Sequence, residues 1–264
     1  MPRSFTLGRY LNGDGFLHRL DPRLKVAAVF FLTLVSFWAG TWAGLGLLLG
    51  LLVAVWAGGG LPLQHLDQNL RPIWWLIIFT LGFHIFGDPA PFFRLGPFSL
   101  SRPGLATGGL LALRLIFLVE LTGLLTLTTS PLELTEALED LFAPLGRLRV
   151  PVSDLALMIS IALRFVPVFW DEAEKIRRAQ LSRGAEFEAR NPFKLARVLL
   201  PLLIPLFASA FRRAEELALA MEARGYQAGT RRTRLRENHW GTLESLSLGA
   251  LLVLLPLLWY LREV

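Results

Sequence analysis

Long apolar runs and short polar breaks alternate along most of this chain. Between Val26 and Leu66 the only residue that can carry charge is His65. That stretch is longer than one bilayer crossing of about 20 residues, so two helices must fit within it. Apolar runs at 26–39, 42–58, 72–87, 104–130 and 243–261 predict five transmembrane helices, separated by Gly/Thr, Gly/Pro or charged breaks. The first two are short and meet at Gly40-Thr41; one tilted span followed by a re-entrant segment is the alternative there.

The segment 131–240 has a different pattern. It mixes seventeen basic with fourteen acidic residues and shows helical periodicity rather than uniform apolarity. Ser130-Pro131 predicts a helix start, because serine can cap and proline suits the first turn; that helix runs toward Pro144, and Pro151 restarts the chain. From Ser153 to Arg183, Leu155, Met158, Ile159, Ala162, Phe165, Val166, Phe169, Ala173 and Ile176 follow the three-four spacing of one helix face, with Pro167 expected to bend it. Asn191-Pro192 predicts the start of a second long helix, apolar all round through Phe211 and amphipathic beyond.

The expected domains are therefore 1–25, a cytoplasmic amino-terminal segment; 26–130, four transmembrane helices; 131–240, a cytoplasmic helical coupling domain with two long crossing helices; and 241–264, the last transmembrane helix. The fold class is all-α and polytopic. Of the 264 residues 53% are hydrophobic and 18% charged, with a mean hydropathy of +0.50, which argues against a soluble domain. Lys and Arg set the orientation. Arg3, Arg9, Arg19, Arg23 and Lys25 precede the first span and the seventeen basic residues follow the fourth, so both regions are expected inside and the carboxyl terminus outside. The same bias accounts for the net charge of +6 without nucleic acid. Trp38, Trp42, Trp56, Trp74, Trp75, Trp240 and Trp259 lie near span ends, where indoles favour the headgroup level, although core packing also accounts for some of them.

Chemistry is sparse. Cysteine is absent, and His18, His65, His84 and His239 are not at ligand spacing from one another, so no metal site is expected. A membrane-embedded enzyme would need converging catalytic groups, and the spans offer only a lone His84 and Asp88 at a span end; no catalytic residue is expected. Arg114 and Glu120 lie within the fourth span, six positions apart and hence on different sides of the helix, so they cannot pair with each other; bonding to neighbouring helices or snorkelling toward an interface would accommodate them.

The most specific feature is a repeat. One long helix ends Ala179-Gln180-Leu181-Ser182-Arg183-Gly184 and the next ends Ala220-Met221-Glu222-Ala223-Arg224-Gly225, at an offset of 41 residues. At the same offset Trp170 matches Phe211, Ala173 matches Ala214, Glu174 matches Glu215 and Ile176 matches Leu217. Glycine commonly ends helices, and arginine suits the last turn. Capping alone would not match the positions upstream. A helix tip presenting arginine suits a partner groove lined with carboxylates. The expected docking residues are Ala179, Ser182, Arg183, Gly184, Ala223, Arg224 and Gly225. Phe207, Phe211, Ala214, Leu217, Ala218 and Met221 form a stripe expected to meet a membrane partner or the crossing helix. The small residues Ala208, Ser209, Ala210, Ala214 and Ala218 would allow close helix approach.

These residues resemble the transmembrane T component of energy-coupling factor (ECF) transporters. Gly8-Arg9-Tyr10 through Gly13-Asp14-Gly15-Phe16-Leu17-His18-Arg19-Leu20-Asp21-Pro22-Arg23-Leu24-Lys25 is similar to the family's amino-terminal signature, nearer its shared-module type than its cobalt type. Thr129-Ser130-Pro131, Leu163-Arg164-Phe165-Val166-Pro167 and Ala220-Met221-Glu222-Ala223-Arg224-Gly225-Tyr226 are similar to further family blocks, with Ser182 departing from the first motif's alanine. The resemblance implies a non-catalytic coupling subunit in a prokaryotic inner membrane. Its expected partners are two ABC ATPases, which would hold ATP and Mg, and a small substrate-binding membrane S component for vitamins or other micronutrients. Consistently, no G-x-x-x-x-G-K-[ST] phosphate loop occurs, so this chain itself is expected to bind no cofactor. A self-sufficient channel or secondary transporter is the competing class.

Overall fold

The computed structural model describes residues 10–11, 13, 15–61, 64–87, 93–95, 98–100, 102–148, 150–185, 192–227, 229 and 241–263. The anticipated Asn191 cap, Trp240, His239, Asp88 and the Gly8-Arg9 of the amino-terminal signature lie outside these residues. The helices in chain order are α1 (Phe16–Arg19), α2 (Pro22–Trp38), α3 (Trp42–Gly58), α4 (Gln64–Leu70), α5 (Trp74–Gly87), α6 (Arg102–Thr128), α7 (Pro131–Phe142), α8 (Val152–Ser182), α9 (Pro192–Ala223) and α10 (Thr242–Glu263). The protein is an all-α membrane protein. Its helices cover the five predicted spans, and the Gly40-Thr41 break separates two full helices, α2 and α3. Between α5 and α6 the chain also forms a small antiparallel hairpin, β1 (Phe93–Leu95) and β2 (Phe98–Leu100), with Phe93 opposite Leu100. The alternation Phe-Arg-Leu and Phe-Ser-Leu is too short to stand out in sequence from a loop.

The chain divides into two compact units, split between Ala137 and Leu138 and again after Leu235. In the first, α3 and α6 supply the centre. Leu45, Leu48, Leu52 and Trp56 recur at helical spacing on α3 and are buried, as are Phe117, Leu121 and Leu124 on α6. Leu24, Leu32 and Val35 of α2 and Leu254 and Leu258 of α10 complete the cluster. Trp56, only 2% exposed, is a core residue and not an interfacial one, because it continues the buried stripe of α3. Trp38, Trp42, Trp74, Trp75 and Trp259 are all exposed.

Lipid is as apolar as leucine, so burial alone does not fix a membrane bundle, and polar ties supply the specificity. Arg114 Nη2 donates to Ala39 O at 3.1 Å, capping the end of α2, and its guanidinium lies 5.4 Å from the Phe37 ring. Buried Glu120 accepts from Asn69 Nδ2 at 3.4 Å. Arg114 and Glu120, the two charges in the interior of α6, thus find partners at the end of α2 and on α4. Gly123 makes room for the second tie, since a Cβ there would collide with the Asn69 side chain.

The amino-terminal signature anchors the same unit. Asp21 caps α2 by accepting from Arg23 N at 2.8 Å, and buried Lys25 donates to Thr128 O at 3.0 Å, where α6 ends. Leu11 N donates to Leu127 O at 3.1 Å beside it. Two residues on, Ser130 and Glu133 close a reciprocal capping box at the start of α7: Ser130 N donates to the Glu133 carboxylate at 2.8 Å and Glu133 N to Ser130 Oγ at 3.3 Å.

The second unit contains the long helices α8 and α9. Both are unbroken, through Pro167 in α8 and through Pro201 and Pro205 in α9.

Candidate functional site

The two long helices end in the same hydrogen-bonded geometry. In α8, Gly184 N donates to Leu181 O and Ala185 N to Gln180 O, each at 3.0 Å. In α9, Gly225 N donates to Glu222 O and Tyr226 N to Met221 O, each at 2.9 Å. Every donor and acceptor of the second set lies 41 positions beyond its counterpart in the first. The glycines hold φ of +85° and +77°, the left-handed region that a side chain disfavours. This double closure satisfies the last carbonyls of each helix. It also places Arg183 and Arg224 in the equivalent capping position.

Ala179, Ser182, Arg183 and Gly184 are all exposed, as are Ala223, Arg224 and Gly225. Among the described residues neither guanidinium is engaged in an ion pair or hydrogen bond. The surroundings of the two ends differ. On α8, Glu174 takes both Arg177, at 2.8 and 2.9 Å, and Arg178, at 3.2 Å. Those hydrogen bonds hold the Glu174 carboxyl at about 2, well below the ordinary carboxylate range. The corresponding positions on α9 are Ala218 and Leu219.

The expected stripe on α9 separates into two sets. Phe207 and Phe211 are 59% and 69% exposed, and Ala214 and Ala218 are exposed beside them. Leu217 and Met221 are half-buried and follow Arg213 at four-residue steps, on the face where Arg213 Nη2 meets Glu172 Oε2 of α8 at 3.4 Å. Of the small residues, Ser209 is buried and Ala210 half-buried, while Ala208, Ala214 and Ala218 stay exposed. Two ties between the helices escaped the sequence pattern, Glu172 to Arg213 and Tyr226 Oη to Asp154 Oδ1 at 3.5 Å. The first had a signal: Glu172 and Arg213 are themselves 41 apart, with opposite charge.

Comparison with known proteins identifies the family. A family model described as cobalt transport protein, CbiQ, matches residues 13–235. The energy-coupling factor transporter transmembrane protein EcfT of Bacillus subtilis (strain 168) is 41% identical over 267 residues, covering 99% of this chain and 100% of the relative. The chain belongs to this family of energy-coupling factor transporter transmembrane proteins. EcfT of Acidaminococcus fermentans is 42% identical over 99% of this chain and 98% of its own, and EcfT of Listeria innocua 42% over the full length of both. As an EcfT-family member the chain is a membrane component of a transporter. Within it, the repeated helix ends are the feature built twice from sequence through backbone geometry.

Proposed function

We propose that this chain is the coupling subunit of an ECF-type importer, in which the Arg183 and Arg224 ends seat in carboxylate-lined grooves on two ABC ATPase subunits. The supporting observation is the identically closed pair of helix ends, each presenting an exposed arginine. ATP and Mg belong to the ATPases, so the chain transmits motion without catalysing hydrolysis. The exposed set Phe207, Phe211, Ala214 and Ala218 receives a small membrane S component that carries the vitamin or other micronutrient. The amino terminus and the segment 131–240 lie on the cytoplasmic side and the carboxyl terminus outside, as the Lys/Arg asymmetry requires.

Removing one arginine leaves a partner carboxylate unpaired, at a cost of roughly 2–5 kcal/mol in a buried interface. Arg183→Ala and Arg224→Ala are each expected to weaken ATP-driven uptake in proteoliposomes, and the double variant to lose the ATPases in pull-down. Lysine should rescue poorly, lacking the bidentate fork. A monodisperse double variant that still binds both ATPases and supports wild-type uptake would refute the docking role.

A further inference from the structure

Glu172 and Arg213 occupy equivalent positions of the repeat, yet they touch each other. When two copies of one element pack about a local two-fold axis, a residue meets its own counterpart only at the axis. A 3.4 Å contact between counterparts is what a half-turn relating α8 to α9 would produce. From that point Arg183 and Arg224 each lie eleven residues further along their helices. At 1.5 Å per residue that is about 16 Å of helix on either side. The Tyr226 to Asp154 hydrogen bond shows that the last turns of α9 run back along the start of α8, so the two ends point away from each other.

A contact between equivalent positions carries an electrostatic difficulty. Identical residues would set acid against acid, or guanidinium against guanidinium, and like charges brought together at an interface are costly. This chain reverses the sign at two successive positions: Asp171-Glu172 on α8 become Arg212-Arg213 on α9. The next matched positions, Ala173 with Ala214 and Glu174 with Glu215, keep their kind. The sign reverses once more at Lys175 and Glu216, and among the described residues Glu172 with Arg213 is the reversed pair in contact. The Glu172 and Arg213 side chains are 25% and 40% exposed, and a pair so solvated adds little to stability. Register is another matter. Sliding α9 by one turn would bring Arg213 opposite Val168 or Ile176, where its guanidinium would lose its anion against apolar neighbours.

We propose that Glu172 and Arg213 are positioning residues: their charge-reversed contact sets the register of α8 on α9 and thereby holds the two arginine ends equidistant from a pseudo-two-fold axis. Two ATPase subunits of like fold, arranged about one axis, would need that symmetric spacing. The role of the spacing rests on the docking function proposed above, whereas the register itself does not.

The chain has no cysteine, so spin labels on Leu181→Cys and Glu222→Cys, which are equivalent exposed positions, report the separation of the ends in the full chain in lipid nanodiscs. One narrow distance distribution is expected for the otherwise unchanged chain. Glu172→Arg and Arg213→Glu should each broaden it, and combining them should restore it. In the assembled transporter, without the labelling cysteines, each single reversal should lower ATP-driven uptake by about fivefold, corresponding to roughly 1 kcal/mol, and the combined swap should recover it. Glu172→Gln keeps the side-chain shape and introduces no like-charge clash, so it is expected to fold and to broaden the distribution partially. An unchanged distribution in Glu172→Gln and both reversals, or a swap that stays broad although monodisperse, overturns the proposal. If the distances respond as expected while the Arg183→Ala, Arg224→Ala chain still holds both ATPases, docking fails and the register stands.

Discussion

Lys25 keeps its ammonium group inside the protein, in the first turn of α2 and ahead of the apolar run that begins at Val26. Burial pushes it down to about 8, against the raising effect of Glu133 and Asp21. The sign of the consequence follows from proton counting. Between about pH 8 and 10.5 the unfolded chain holds the lysine proton and the folded chain has lost it, so stability rises with pH across that window. The neutral amine still donates to Thr128 O. The thermal midpoint of the purified chain is therefore expected to rise from pH 7.5 to 9.5 relative to that of Lys25→Met, which lacks the titrating group. Parallel pH profiles for the two proteins would show that the buried charge contributes nothing. Not all of this was readable in the sequence. The Ser130 cap and the motif arginines follow from local rules, and the six-residue spacing shows that Arg114 and Glu120 do not pair with each other, while leaving neighbouring helices and the interface both open. Which partners they find, Ala39 and Asn69, depends on tertiary packing.

At the scale of elements, α8 poses the sharpest question. By length and composition alone Val152–Ser182 could cross a bilayer, as could Arg102–Thr128. The two differ in pattern. Beyond its first residue α6 carries only two charges, Arg114 and Glu120, whereas α8 carries Asp171, Glu172, Glu174, Lys175, Arg177 and Arg178 in the stretch that leads to its arginine end. A helix lying on the cytoplasmic side keeps both ends inside; a spanning helix separates them. Cysteines at Ser153 and Ser182, both exposed, distinguish the cases. Neither is expected to react with an impermeant reagent added outside intact cells, and both should react in inverted vesicles. Labelling of one from each side would make α8 a span. The helices themselves were legible because long uncharged runs admit few alternatives. Trp56 was harder, since its place near a span end suggests the interface, and only the stripe formed with Leu45, Leu48 and Leu52 reveals the core. The Glu172–Arg213 contact was overlooked because charges on an amphipathic helix look like any solvated face until the repeat offset is applied to them.

For the molecule as a whole, the surface of α9 offers a division of labour to test. Phe211→Asp alters a side chain that touches little of its own protein, so the chain's thermal midpoint should hold, with a change within about 0.5 kcal/mol. Co-purification of the S component should nevertheless be lost. Leu217→Asp, on the half-buried face beside Arg213, should lower the midpoint as well. Retention of the S component by a stable Phe211→Asp chain would remove the exposed aromatics from the assembly surface. The polar ties of α6 carry one more implication, for how such a chain is made. A ribosome feeds helices to the bilayer in the order they are encoded. Arg114 and Glu120 would be expensive for a solitary helix entering lipid. Their partners, the carbonyl of Ala39 and the amide of Asn69, lie earlier in the chain. By the time α6 leaves the insertion machinery both acceptor and donor are already synthesised, so its two charges arrive after the groups that make them tolerable.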